Sequence, residues 1–145
     1  MLFPAPNQLL EYNSVIWSPS LIKDIDLIEQ VQRRFTKRLR CIDGVAYTDR
    51  LQRLNLPSLE LLRLHLDLVF CYKIVFGIVH INFDDLFTFS TVAHTRGHGY
   101  KLYKPRCVSS VRRNFFIERI INVWNFLPHT VDFRHCLNLN GRLIM

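Results

Sequence analysis

Apolar side chains recur at three- and four-residue steps along most of the chain, a spacing that predicts α-helices. The clearest stripe follows Ser18 and Pro19, where serine can cap a helix and proline can occupy its first position. It predicts a helix of about twenty residues, with its inner face at Leu21, Ile25, Ile28, Gln32, Phe35 and Leu39. Shorter helices are predicted at 7–16, 48–54 and 110–127, opened by Asn7, Thr48 and Ser110.

The most apolar stretch begins at Ser58, a second candidate cap, and runs to about Val79. Apolar side chains surround most of this predicted helix, so we expect it to lie at the centre of the core. The same stretch carries ionisable side chains at Glu60, Arg63, His65, Asp67, Lys73 and His80. Each charge would cost roughly 2.5–3.5 kcal/mol at the middle of a bilayer, so we expect no membrane partner.

Weak alternation from Tyr100 to Lys104 predicts one short strand or hairpin, which Pro105 ends. A chain of 145 residues is the size of one domain. The pattern therefore predicts a single all-α domain over residues 1–145. It has four or five helices around one apolar central helix, with one short strand or hairpin.

The charge is basic and unevenly distributed: 19 Lys and Arg face 12 Asp and Glu, a net charge of +7. One basic segment, residues 31–40, holds no acid and five basic side chains, Arg33, Arg34, Lys37, Arg38 and Arg40. The other, residues 96–119, holds one acid, Glu118, and seven basic side chains, Arg96, Lys101, Lys104, Arg106, Arg112, Arg113 and Arg119. Such a balance favours a polyanionic partner.

Each basic segment has two interpretations. The basic side chains of residues 31–40 form either a patch that follows a phosphate backbone or simply a solvated helix face. In the segment 96–119, two aromatic side chains, Tyr100 and Tyr103, stand among basic ones, and bases of a single strand can stack on their rings. The basic side chains are Arg96, His98, Lys101, Lys104 and Arg106. The alternative for that segment is an edge strand that carries basic side chains. The candidate nucleic-acid contacts are Arg33, Arg34, Lys37, Arg38, Arg40, Arg96, His98, Lys101, Lys104, Arg106, Arg112 and Arg113.

No motif predicts catalysis or a cofactor. The four cysteines, at 41, 71, 107 and 136, form no Cys-x-x-Cys pair, which favours free thiols in a reducing compartment. His94, His98 and Cys107 have no completing ligand, so no metal is expected. The start of the chain lacks the features of a signal peptide, which predicts an intracellular location, nucleus or cytoplasm.

Four blocks of sequence are familiar in this order. The first holds Leu-Glu-Tyr at 10–12, Val-Ile-Trp-Ser-Pro at 15–19, Lys-Asp-Ile at 23–25 and Glu-Gln-Val-Gln-Arg-Arg-Phe-Thr-Lys-Arg at 29–38. The second is Arg-Leu at 50–51 and Leu-Asn-Leu-Pro-Ser-Leu-Glu at 54–60. The third is Thr-Arg-Gly-His at 95–98 with Tyr-Lys-Leu at 100–102. The fourth is Arg-Asn-Phe-Phe at 113–116, Arg119, Trp-Asn at 124–125 and Leu-Pro at 127–128.

Together the blocks resemble the C-terminal part of reverse transcriptases from non-LTR (LINE-type, jockey- or CR1-like) retrotransposons. The resemblance covers about residues 10–128 and implies a thumb and post-thumb region, which helps to hold the RNA template and DNA primer. It implies RNA or RNA–DNA hybrid as the partner, and self-association through the face that a palm would cover. The palm, fingers and endonuclease are expected to be absent, as in a truncated element.

Polymerases of this kind bind magnesium through a Tyr-x-Asp-Asp turn. The only adjacent acids here, Asp84 and Asp85, follow Phe83 well after the thumb-like block. We therefore expect this chain alone to be inactive, and to retain at most backbone binding. The alternative is a non-enzymatic helical interaction module or a relic without function.

Overall fold

The computed structural model describes residues 13–39, 42, 44–91, 97–109, 111–131 and 133. Over these ranges the chain is all-α, as predicted, with five helices. They are α1 (Ile22–Lys37), α2 (Tyr47–Leu54), α3 (Leu59–Val75), α4 (Phe83–Leu86) and α5 (Phe116–Phe126). A short 3₁₀ helix, Arg112–Asn114, precedes α5. The helix predicted from Asn7 lies largely outside the described residues.

The chain divides into two compact units, Met1–Leu66 and Asp67–Met145. The boundary falls inside α3, so the first unit contains α1, α2 and the start of α3. The second contains the rest of α3, together with α4 and α5. The single domain over 1–145 stays a prediction.

In the first unit, α1 is shorter than predicted. Its N-cap is Leu21, which makes no side-chain capping bond, so Ser18 does not open this helix. The buried residues of α1 are polar: Glu29, Gln32 and Thr36. They stand three and four positions apart and so share one face. Of these, the apolar stripe had included only Gln32.

α3 begins as predicted and ends early. The Ser58 hydroxyl accepts a hydrogen bond from the Leu61 amide at 3.3 Å, which is the predicted cap. The helix ends at Val75, and Gly77, two residues later, has a φ of +65° that favours glycine. Amides of Ile78 and Gly77 donate to the carbonyls of Lys73 (2.8 Å) and Ile74 (3.1 Å), a Schellman ending.

The burial of α3 does not confirm a central position for this helix. Leu61 is 56% exposed and Leu64 36%, whereas the charged Arg63 and Asp67 are buried. The guanidinium of Arg63 lies over the Trp17 ring, 5.0 Å from its centroid, a cation–π contact that stabilises this charge. Although the sequence of α3 is apolar on most of its circumference, part of that circumference is exposed to solvent.

The second unit has an aromatic core around Trp124, which is 1% exposed. The rings of His98 and Phe133 lie 5.7 and 5.4 Å from the Trp124 ring, and the Trp124 indole donates to the Tyr100 carbonyl. Asp67 accepts two hydrogen bonds from Arg119, at 2.8 and 2.9 Å, which join α3 to α5 within this unit. Trp124 is thus the anchor of this core.

The strand predicted at 100–104 is reduced to one antiparallel bridge, between Phe89 and Leu102, within the described residues. Amides of Ser90 and Tyr103 donate to the carbonyls of Lys101 and Thr88, at 2.8 and 2.7 Å. The amide of Asn125 takes the opposite side of Leu102, accepting from its N–H and donating to its C=O, both at 2.8 Å. A side chain thus occupies the place of a second strand.

Candidate nucleic-acid interface

The last turns of α1 carry a cluster of exposed basic side chains, which we call the α1 patch: Arg33, Arg34, Lys37 and Arg38. In a helix, residues four apart are neighbours, so Arg33 lies beside Lys37 and Arg34 beside Arg38. The two rows adjoin and form one basic face. No ion pair joins the patch to a carboxylate among the described residues. Arg40, the fifth predicted contact here, lies outside those residues.

Like charges at this spacing destabilise a helix by a few tenths of a kcal/mol per pair. The negative end of the helix dipole offsets part of that repulsion, because the patch lies in the last turns. A polyanion along the basic face would remove the rest. The α1 patch is therefore an electrostatic arrangement suited to a row of phosphates.

A buried polar cluster holds α1 in place below the patch. The Glu29 carboxylate accepts hydrogen bonds from the Tyr47 hydroxyl and from the Leu59 amide, the latter at 3.0 Å. Gln32 Oε1 lies 3.0 Å from the same hydroxyl, whose one proton goes to Glu29, and Gln32 Nε2 donates to the Pro57 carbonyl at 3.2 Å. These bonds fix α1 against α2 and against the first turn of α3. The Arg33 guanidinium lies over the Tyr47 ring, 5.0 Å from its centroid.

The second basic segment is not one continuous surface. His98 is buried, and its Nε2 donates to the Trp124 carbonyl at 2.8 Å while its Nδ1 accepts from the Tyr100 amide at 3.2 Å. Both ring nitrogens are occupied by hydrogen bonds to backbone groups within the core, so the structure does not support His98 as a nucleic-acid contact. Arg96 lies outside the described residues.

The remaining basic side chains of this segment separate. Lys101 lines a cleft of about 520 Å³ with Gly97, the C-terminal end of α5 and the three residues that follow that helix. Arg112 is exposed and stands with its Nε 3.9 Å from Glu118 Oε1. Lys104, Arg106 and Arg113 come together around another cavity.

That cavity, which we call the basic groove, has a volume of about 450 Å³. It is lined by Lys104, Pro105, Arg106, Cys107, Arg113, Glu118, Arg119 and Asn122. The Lys104 ammonium donates to Asn122 Oδ1 at 2.8 Å, and Arg113 to the Cys107 carbonyl at 3.5 Å. Sequence reasoning missed Glu118, Arg119 and Asn122 as groove residues. The one available signal was that Glu118 is the single acid among seven basic residues.

The two tyrosines of this segment differ as stacking surfaces. Tyr100 is 42% exposed but packs edge-on against Phe76 and Phe133, at centroid distances of 5.0 and 5.4 Å. Tyr103 is 58% exposed and makes no ring contact with a described residue. Tyr103 is therefore the better placed of the two to stack on a base.

The described residues hold no group of three His, Cys, Asp or Glu side chains that could bind a metal ion. Asp84 and Asp85 are exposed on the four-residue helix α4. Cys71 is fully buried, and burial, then the nearby Asp67, raise the pKa of its thiol to about 12. A thiol held protonated in this way is not a nucleophile at neutral pH.

No described helix is both long and apolar enough to cross a membrane. Comparison of the chain with protein-family models, with curated protein sequences and with solved structures gave no match.

Proposed function

We propose that this chain is the thumb and post-thumb part of a non-LTR retrotransposon reverse transcriptase. In this proposal it contacts the phosphate backbone of RNA or of an RNA–DNA hybrid, in the nucleus or cytoplasm, and performs no catalytic step by itself. The observation that carries the proposal is the α1 patch. Its four exposed basic side chains stand in two adjoining rows, unpaired with any described carboxylate.

Three features support backbone contact in particular. Basic side chains in a row match a row of phosphates and need no base sequence. The buried bonds of Glu29 and Gln32 hold α1 rigidly, so the patch is presented in one orientation. In the second unit the basic groove offers further phosphate contacts, and exposed Tyr103 adds a ring on which a base can stack.

The salt dependence of binding tests this proposal. Replacing Arg34, Lys37 and Arg38 by glutamine is expected to flatten the log–log salt slope for RNA–DNA hybrid by about 3, since each lost phosphate contact removes about 0.9. Arg33 is left in place because it also packs on Tyr47. Fluorescence anisotropy of a labelled hybrid across a salt series measures the slope.

A matched pair of lysines on α1 provides the control. Lys23 and Lys37 are both exposed and stand about 21 Å apart along the helix. Lys37→Gln is expected to flatten the slope by about 0.9 and Lys23→Gln to leave it unchanged. Equal effects of the two substitutions would show that net charge alone drives binding. Absence of binding at about 50 mM salt would contradict the proposal.

A second candidate function is that of a helical interaction module, including self-association. Unit 1 exposes several large apolar side chains, among them Ile22 (79%), Leu27 (59%) and Leu61 (56%). Apolar surface of this kind is typical of a contact with another protein surface. We place it second because single exposed apolar residues are common on soluble proteins, whereas four adjoining basic ones are less so.

A further inference from the structure

The basic groove combines exposed cations with a buried carboxylate. Arg106 is exposed and has no hydrogen-bond or ion-pair partner among the described residues, and Arg113 makes only a long bond to the Cys107 carbonyl. Lys104 keeps two of its three ammonium donors available beyond its bond to Asn122. The charge of Arg119 is compensated by the two hydrogen bonds that it donates to the Asp67 carboxylate. The groove therefore attracts an anion through Lys104, Arg106 and Arg113.

Glu118 sets a second requirement for the ligand. It lines the groove and is 5% exposed, yet its Oε2 has no hydrogen-bond donor in the described part of the chain. The nearest cation, Arg112, stands 3.9 Å from Oε1, beyond hydrogen-bond distance, and its own side chain is 71% exposed. Buried acceptors in native proteins are nearly always satisfied. A donor arriving with a ligand would satisfy this one.

These two features together select the chemistry of the ligand. A phosphate alone would bring negative charge next to the Glu118 carboxylate and leave Oε2 without a donor. A ligand that suits both carries a phosphate and a hydroxyl on neighbouring atoms. In RNA, the 2′-hydroxyl is on the sugar carbon adjacent to the one that bears the 3′-phosphate. The exocyclic amino groups of the bases lie farther from the phosphate and differ from base to base.

We propose that the basic groove binds one ribose phosphate of an RNA strand, its phosphate on Lys104, Arg106 and Arg113 and its 2′-hydroxyl donating to Glu118. Glu118 Oε2 has almost no accessible surface of its own, so the carboxylate has to turn about its terminal torsion, which is broad in glutamate, as the ligand binds. This site distinguishes RNA from DNA, which lacks the hydroxyl. The inference rests on the proposed function and specifies that the strand contacted by the second unit is RNA.

The test compares short single strands of one sequence made as RNA, as 2′-fluoro RNA and as DNA, titrated into the 145-residue chain by fluorescence anisotropy. The 2′-fluoro strand keeps the sugar shape of RNA but cannot donate. RNA is expected to bind about tenfold more tightly than the 2′-fluoro strand, the effect of one hydrogen bond to a carboxylate. Equal affinities would overturn the inference.

Variants separate the hydroxyl contact from the phosphate contacts. Glu118→Leu is expected to abolish the RNA preference without weakening the 2′-fluoro strand, whereas Glu118→Gln, which keeps a carbonyl acceptor, retains part of it. Arg106→Gln is expected to weaken all three strands by the same factor. This variant tests the phosphate contacts even if Glu118→Leu fails to fold, which far-UV circular dichroism reports. A Glu118→Leu variant that folds and keeps the full RNA preference would refute the assignment.

The outcomes also distinguish this inference from the proposed function. If the salt slope for RNA–DNA hybrid is as proposed but RNA and 2′-fluoro RNA bind equally, the proposed function stands and the groove is not a ribose-phosphate site. Failure of all three strands and of the RNA–DNA hybrid to bind overturns both. A ribonucleoside 3′-monophosphate that binds as tightly as the RNA strand would assign the groove to a free nucleotide and overturn the strand assignment.

Discussion

The polar cluster under the α1 patch depends on single atoms. The Tyr47 hydroxyl donates to Glu29 and lies 3.0 Å from Gln32, so one phenol connects two buried side chains of α1. Burial first, then the hydrogen bond to Glu29, raise the pKa of this phenol well above its usual value. The folded state therefore binds the phenolic proton more tightly than the unfolded state does. Stability from this group is fully present below pH of about 10 and is lost as the pH rises beyond it.

We expect Tyr47→Phe to lower the free energy of unfolding by about 1–2 kcal/mol at pH 8, because Glu29 loses a buried donor. Above pH of about 10 the difference from the unsubstituted chain is expected to shrink. Urea titrations followed by circular dichroism at several alkaline pH values measure both quantities. Tyr103→Phe, at an exposed tyrosine, is the control and should change neither. A constant difference across the alkaline range would contradict the role given to the Tyr47 proton.

At the scale of elements, periodicity predicted helices where local sequence and packing agree. α3 begins at its predicted position because Ser58 caps it directly, whereas α2 begins at Tyr47, so Thr48 lies inside that helix and does not cap it. The start of α1 was wrong because Ser18 cannot cap a helix that begins at Ile22. The strand at 100–104 reduced to a bridge because Asn125, distant in sequence, takes its outer edge.

The same limit applies to the candidate contacts. The α1 patch could be predicted, since its residues are adjacent on one helix. The basic groove could not, because it combines a connecting segment, the 3₁₀ helix and α5. His98 looked like a surface residue because its neighbours are glycines and basic residues. Its burial results from bonds to Trp124 and Tyr100, which no local pattern encodes.

Two leucines of α3, seven residues and about two turns apart, provide a matched pair. Leu68 is 6% exposed and Leu61 is 56% exposed. Leu68→Ala is expected to reduce the free energy of unfolding by about 2–5 kcal/mol, through lost burial and the cavity that remains. Leu61→Ala should change it by about 0.5 kcal/mol or less. Urea midpoints of the two variants, compared with the unsubstituted chain, measure the difference; similar losses would contradict the observed burial of α3.

At the scale of the whole molecule, two tendencies compete in solution. The net charge of +7 disperses the chains, and exposed apolar side chains of unit 1 favour association. Salt screens the first and leaves the second. Binding of nucleic acid and self-association should therefore respond to salt in opposite directions.

We expect the chain to self-associate more as its concentration and the salt concentration rise. Replacing Leu27 and Leu61 by serine should reduce the mass measured by sedimentation equilibrium. Val108→Ser is the control, since Val108 is 90% exposed and lies in the other unit. A chain that remains monomeric at high concentration and high salt would exclude the interaction module based on this surface.

The two hydrogen bonds between the Asn125 carboxamide and the Leu102 backbone bear on how the chain avoids aggregation. A short extended segment with a bare edge is a template on which a second chain can add by backbone pairing. Here Phe89 takes one side of Leu102, and the carboxamide of Asn125 takes both backbone groups on the other. An incoming strand would have to displace two hydrogen bonds of 2.8 Å before it gained any of its own. Asn125 thus protects the backbone of Leu102 from strand addition and the amyloid-like growth that could follow.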